Sequence, residues 1–264
     1  MEQTGVGKMK PIETWLSEGE LAQIYTAGYW NDIERERTKH WWIADGKYER
    51  CLSYLETSGL LDEYRAAEGL ITGSGKSGLT VLDLAAGTGW ASALLTKLPC
   101  VSSVLAVEIS KHRLAELFEH SFKMLAGDGD KVTRCLGSFY DLKVPSGAAD
   151  IVFMSQAFHH ADRPFDLFQQ CDRALKPGGM ALLVGEHWIS TTKLIARALL
   201  FAARSRRLPE SFQDIFPTDP ILGDHYYRRS DYYFLLGAFG YDVSHVKTGG
   251  SKCIYVARKP GAGR

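Results

Sequence analysis

The stretch Val81-Leu82-Asp83-Leu84-Ala85-Ala86-Gly87-Thr88-Gly89-Trp90-Ala91-Ser92 decides the fold. It reads as a short buried strand, a tight glycine-containing turn and the start of a helix. Glycine lacks the Cβ that keeps a ligand away from the backbone, so the N–H groups of such a turn are open to a nucleotide or cofactor. Two other loop types compete for the region. A dinucleotide loop asks for G-x-G-x-x-G with an acid about 20 residues further on. Gly87 and Gly89 fit its first two positions and Glu108 supplies an acid, but Ser92 stands at the third position. A phosphate loop is suggested by Gly73-Ser74-Gly75-Lys76-Ser77, yet Leu70 occupies the position of its first glycine. That segment also precedes the strand, and it reads as a flexible loop.

Asp83 discriminates, because it puts a carboxylate inside the strand end, two residues before the turn begins at Ala85. The string Val-Leu-Asp-Leu-x-x-Gly-Thr-Gly resembles the first motif of the class I S-adenosylmethionine (SAM) methyltransferases. The resemblance implies that Asp83 helps fix the loop and the methionine end of SAM, with Ala85, Gly87 and Gly89 in the same loop. A carboxylate suits a ligand that carries an ammonium and a sulfonium and does not suit a pyrophosphate. Many relatives have glycine where Ala85 stands, so close approach falls to Gly87 and Gly89.

The resemblance continues in order from about Thr80 to Glu186. Ser103 to Glu108 reads as a second strand whose terminal acid would accept hydrogen bonds from both ribose hydroxyls, with Ile109 against the adenine. Val132 to Leu136 reads as a third strand, followed by Gly137-Ser138-Phe139-Tyr140-Asp141. Relatives usually carry an acid directly after that glycine. Here Ser138 stands there, so the adenine end is assigned to Ser138 and Phe139, with Asp141 or stacking as alternatives. Ala149 to Met154 reads as the fourth strand, ending near Ser155, a further cofactor contact. Leu175-Lys176-Pro177-Gly178-Gly179 turns into a fifth strand, Met180 to Glu186.

The expected fold is α/β: a Rossmann-like class I methyltransferase sheet, mostly parallel, with an antiparallel C-terminal hairpin and an N-terminal helical cap. The cap spans 1–75 and the SAM-binding domain 76–264, with a lid insertion over 190–230. Ser17 and Glu20 fit a capping box that opens a helix through about Ala27. Further helices are expected near 32–44, 48–58 and 61–68, then a Gly/Ser-rich link over 69–78. Later come an amphipathic helix (Thr191 to Arg207), another from Ser230 to Phe239, and two strands joined at Gly249-Gly250. Asp83, Glu108, Ser138, Ser155 and Glu186 all fall at strand carboxyl ends and should converge on one crevice.

Composition bounds the function. The chain has 264 residues, 45% of them hydrophobic, enough for a sizeable core. Its 31 basic and 31 acidic residues balance, which gives no general attraction to nucleic acid or acidic membranes. The five cysteines lack metal or disulfide spacing and read as reduced thiols, mostly buried. No secretory signal or membrane span is legible, so cytoplasm is the expected location.

Catalytic candidates follow the fourth and fifth strands. His160 and His159 stand where the site opens towards substrate, and either can act as general base near neutral pH. Glu186 is a second base or orienting candidate, and His187 beside it a substrate contact. Each has a plain alternative as a packing or cap residue. Tyr25, Tyr29 and Trp30 are the substrate-pocket candidates among the N-terminal aromatics, and point to an apolar or aromatic acceptor. Arg204, Arg206 and Arg207 read as a solvated helix end. No metal is expected. The reading is methyl transfer from SAM, leaving S-adenosylhomocysteine, to O, N or C of a small molecule, by a monomer or homodimer. A nucleic-acid methyltransferase predicts Asn/Asp-Pro-Pro-aromatic where Ser155-Gln156-Ala157-Phe158 stands. An NAD-dependent dehydrogenase and a non-catalytic SAM-binding protein are the remaining alternatives.

Overall fold

A computed structural model describes residues 9–27, 47–217, 224–249 and 252–263. Among the described residues, eight strands form one sheet in the order β1-β4-β3-β2-β5-β6-β8-β7. In chain order they are β1 (Glu13–Thr14), β2 (Leu79–Leu84), β3 (Val101–Glu108), β4 (Val132–Leu136), β5 (Ala149–Ser155), β6 (Leu175–His187), β7 (Asp242–Gly249) and β8 (Lys252–Arg258). The pairs from β1 through to β6 are parallel, and β8 runs antiparallel between β6 and β7. The mostly parallel sheet and antiparallel C-terminal hairpin are therefore present as expected.

Helices cover both faces, which is why the central strands are apolar on both sides. Val81, Ile151 and Phe153 point into one core; Leu82, Leu84, Val152 and Met154 point into the other. The first core is closed by α2 (Tyr48–Thr57), α3 (Leu60–Thr72), α4 (Trp90–Thr96) and α5 (Phe118–Leu125). The second is closed by α6 (Pro164–Ala174) and α9 (Arg229–Ala238). On α3 the buried positions are Leu60, Glu63, Tyr64, Ala67 and Ile71, a helical stripe containing one acid. Of the cysteines, all but Cys100 are buried, and all are free.

Several boundaries differ from the sequence reading. Helix α3 continues to Thr72, because Ala67 and Ile71 extend its apolar stripe, so the link shrinks to 73–78. Strand β6 starts at Leu175, whose pairing with Ala149 draws the Lys-Pro-Gly-Gly segment into the strand across a register shift. Helix α1 (Glu18–Ala27) has its capping box: Ser17 N donates to Glu20 Oε2 at 2.8 Å and Glu20 N to Ser17 Oγ at 3.3 Å. The helix expected at 32–44 lies outside the described residues. Within 190–230 are α7 (Thr191–Ser205) and the short α8 (Phe212–Ile215). Helix α7 begins at Ser190, whose hydroxyl caps Lys193 N, and ends in left-handed Arg206.

Strand β2 lies between β3 and β5, and the chain leaves it in one direction and returns on the other side. Such a switch opens the carboxyl ends of the strands to a ligand. The turn after β2 depends on Gly89. Its φ is +77°, and a Cβ there would stand 2.2 Å from Cδ2 of Phe118. Phe118 is buried and stacked on Phe122, centroids 4.9 Å apart, so it cannot yield. Gly89→Ala should therefore destabilise the fold by about 2–4 kcal/mol through overpacking and backbone strain. Ala85 adopts φ +53°. Ala85→Gly, which relieves that strain at a cost in chain entropy, should change stability by about 1 kcal/mol or less. Paired denaturant titrations measure both.

Candidate functional site

Two carboxylates organise the loop after β2. Asp83 is 1% exposed, and the Ser92 hydroxyl donates to its Oδ2 at 2.5 Å. Burial pushes its carboxyl up to about 7, the Ser92 hydrogen bond opposes this, and the charge of Glu108 adds to it. Ser92, the residue that departs from the dinucleotide pattern, is thus the partner of Asp83. Glu108 is also buried. Its Oε2 accepts from Gly87 N at 2.8 Å, and its Oε1 from Ile109 N and Ser110 N at 2.9 Å each. One carboxylate therefore joins the ends of β2 and β3. A carboxylate offers about four acceptor positions, so a position remains on Oε2. Gly87 has φ +58°, and a Cβ there would meet nothing closer than 3.9 Å, so the loop is open at this point.

The adenine-end candidates are arranged more locally. Gly137 N donates to the backbone oxygen of Glu108 at 3.0 Å, which brings the β4 end beside β3. Ser138 Oγ accepts from Tyr140 N at 3.1 Å. Asp141 pairs with Lys143. The Phe139 ring meets Tyr140 edge-on at 4.7 Å. Ile109 is half-buried beside Glu108. Trp15, not singled out from sequence, lies against Gly137: a Cβ there would be 3.0 Å from its ring. Trp15 N donates to Leu136 O at 2.9 Å, so β1 extends the sheet at this end.

A second cluster sits at the carboxyl ends of β5 and β6. Glu186 is fully buried, and its acceptor positions are filled. Oε1 accepts from Ala157 N at 3.2 Å and Phe158 N at 3.0 Å. Oε2 faces His159 Nδ1 at 2.9 Å and accepts from the Tyr232 hydroxyl at 3.0 Å. Burial opposes charge on both members. The mutual attraction of His159 and Glu186, with their hydrogen bond, outweighs it, so the imidazolium is held above its ordinary range and the carboxyl below. His160 Nδ1 lies 3.0 Å from Asp224 Oδ1. His187 is exposed, its ring 6.1 Å from that of His159. His159, His160 and Asp224 each bring one possible metal-ligating atom within 4.8 Å of the others. His159 already faces Glu186 and His160 faces Asp224, so charge pairing accounts for the arrangement.

Ser155 ends β5, half-buried, and Gln156 follows with φ +50°. Gln156 Nε2 donates to Glu63 Oε2 at 3.2 Å, and Lys252 Nζ stands 3.0 Å from Glu63 Oε1. Glu63, Asp224 and Tyr232 were missed from sequence. Glu63 had a signal, an acid within an apolar helical stripe. Tyr232 and Asp224 had none, being 46 and 64 residues from the partners they meet. The side chain of Tyr25, and Tyr29 and Trp30 altogether, lie outside the described residues.

The model of a methyltransferase domain family matches residues 82–183. A putative S-adenosyl-L-methionine-dependent methyltransferase from Methanococcus maripaludis has a similar structure, with 17% identity, 81% of this chain and 92% of that chain covered, and a TM-score of 0.52. A putative sarcosine dimethylglycine methyltransferase from Galdieria sulphuraria gives 19%, 78%, 87% and 0.53. A chain of the complex between the Haloferax volcanii Trm112 methyltransferase activator and a putative methyltransferase gives 16%, 83%, 96% and 0.55. At such identities the likeness shows the fold. No curated protein matches the chain. The methyltransferase domain matched over residues 82–183 is seated on this sheet, and together with the shared fold it supports a SAM-dependent methyltransferase with SAM as cofactor.

Proposed function

We propose that the protein methylates a small, apolar or aromatic organic molecule at O, N or C, and that His159 receives the acceptor's proton. One observation carries this reading: a histidine held by a buried, fully hydrogen-bonded carboxylate at the carboxyl ends of β5 and β6, on the same sheet edge as the cofactor loop. SAM, when bound, supplies an electrophilic sulfonium methyl group.

The residues fit that cofactor. Burial raises the Asp83 carboxyl, and the cationic end of bound SAM would favour its charged form. The remaining acceptor position of Glu108 suits a ribose hydroxyl, and Gly87 leaves the backbone accessible. Ile109, Phe139 and Ser138 are assigned to the adenine end, and Ser155 and Ala85 to the walls of the same site. His187, exposed beside His159, is assigned to the acceptor. Alignment of the acceptor against the sulfonium and exclusion of water supply most of the catalysis in such a transfer.

The two acid–base candidates divide their roles. With all its acceptor positions occupied, Glu186 is a positioning residue, fixing the His159 ring and stabilising its imidazolium. His159 then presents its other ring nitrogen as the proton acceptor. His160, paired with Asp224, orients the acceptor from the next position. The balanced charge of the chain, and Ser155-Gln156-Ala157-Phe158 at the fourth strand end, favour a small molecule over nucleic acid.

Transfer of labelled methyl groups tests the reading. A panel of small hydroxyl- and amine-bearing aromatics should contain an acceptor, while DNA and RNA remain unlabelled. Labelling confined to nucleic acid overturns it. With an acceptor identified, kcat/KM should rise with pH through a pKa above the ordinary histidine value, because the base works only when neutral and Glu186 favours its charged form. Glu186→Gln should move that limb to lower pH. A profile unaffected by this substitution removes His159 as the base.

A further inference from the structure

Helix α7 (Thr191–Ser205) buries none of its residues, although most of them are apolar. Its half-buried positions are Leu194, Ala198, Phe201 and Ala202, spaced three and four apart, and they form the face turned to the protein. A second apolar face points outward. Ile195 is 54%, Leu199 66% and Leu200 55% exposed, and Ala203 continues the stripe one turn after Leu199. Beyond the helix, Leu208 is 77% exposed. At about 100° per residue, Lys193, Arg197 and Arg204 share one flank of this outward stripe.

The charge of the segment is one-sided. No Asp or Glu occurs between Glu186 and Glu210, while Lys193, Arg197, Arg204, Arg206 and Arg207 all do. Arg207 pairs with Asp214, and Arg197 lies over the Phe216 ring. Among the described residues, Lys193, Arg204 and Arg206 have no ion pair. The balanced net charge of the whole chain conceals this local excess.

We infer that α7 is a docking helix for an anionic lipid surface, lying in the plane of the headgroups with Ile195, Leu199 and Leu200 inserted and its cations against the phosphates. A helix with an exposed apolar face beside a cationic flank binds such interfaces through both contributions. A second copy of this chain fits less well. A two-fold contact sets the same patch against itself, so two cationic segments would be brought together with no acid on either helix to neutralise them. The described residues contain no helix long and apolar enough to cross a membrane, so the contact is peripheral. This assignment stands on the surface alone and does not depend on the acceptor or on His159.

Vesicle flotation with the full chain tests it. The protein should float with vesicles containing phosphatidylglycerol at low salt, and bind pure phosphatidylcholine vesicles far more weakly. High salt should release it. Ile195→Glu/Leu199→Glu and, separately, Lys193→Gln/Arg204→Gln should each weaken binding at least tenfold. All these positions are exposed, so the melting temperature should not change. The inference is overturned if the unaltered chain fails to float at low salt, or if both double variants bind as it does. It is equally overturned if light scattering shows a dimer that Ile195→Glu/Leu199→Glu separates, since the face then belongs to a second copy.

Discussion

The carboxylate of Glu108 is the constraint on which the site depends. It collects three backbone N–H groups, one from the turn after β2 and two from the turn after its own strand. Hydrogen bonds to an ionised acceptor are the stronger kind, and these are shielded from water. They fix the β2 turn relative to β3, and the sheet does the rest. Phe118 fills the space behind Gly89, and Ser92 holds Asp83 from the first turn of α4. The loop is thus rigid from behind and open in front, where Gly87 carries no side chain. A preformed site of this kind binds without the cost of ordering its own backbone.

Glu186 repeats the device at the other end of the site. It gathers two backbone N–H groups, a phenol and an imidazole about one buried carboxylate. The short helical turn over Phe158–His160 is anchored to β6 through it, and Tyr232 ties α9 to the same point. Acid–base candidates placed in this way have their ring orientation set by the fold rather than by the ligand. The neighbouring Glu63–Lys252 pair, bridged to Gln156, braces the end of β5 from the opposite face of the sheet. Glu63, Asp83, Glu108 and Glu186, four buried acids each from a different element, thus line the carboxyl edge around the candidate site.

Local chemistry was legible in the sequence; long-range pairing was not. Asp83, Gly87, Gly89 and Glu108 lie within one strand-turn-helix-strand unit, so their spacing carries their geometry. The alternation also carried the mostly parallel sheet and its C-terminal hairpin, but not the edge strand β1, whose two residues pair with β4. His159 and Glu186 were both visible as candidates, but that one saturates the other's ring nitrogen emerges only when β5 and β6 pair. Tyr232 and Asp224 reach the cluster from beyond the 190–217 segment, and no periodicity announces that. Ser138 stands where an acid is usual, and its Oγ accepts from the Tyr140 N–H, a local contact that spacing does not announce. The amphipathic pattern of α7 was plain, but which face it would bury was not: a helix that is apolar on two sides has a periodicity that fits either. Net charge, an average over the chain, likewise hid the one-signed segment around it.

The central claim is that the acid-glycine loop is a SAM site built around Glu108. Calorimetric titration of the purified chain with S-adenosylhomocysteine tests it most directly. Saturable binding at one site per chain is expected, weakened by about tenfold or more in Glu108→Ala, the order expected for a lost charge-assisted hydrogen bond and the loop order that goes with it. No binding to the unaltered chain, or an affinity that Glu108→Ala leaves unchanged, contradicts it.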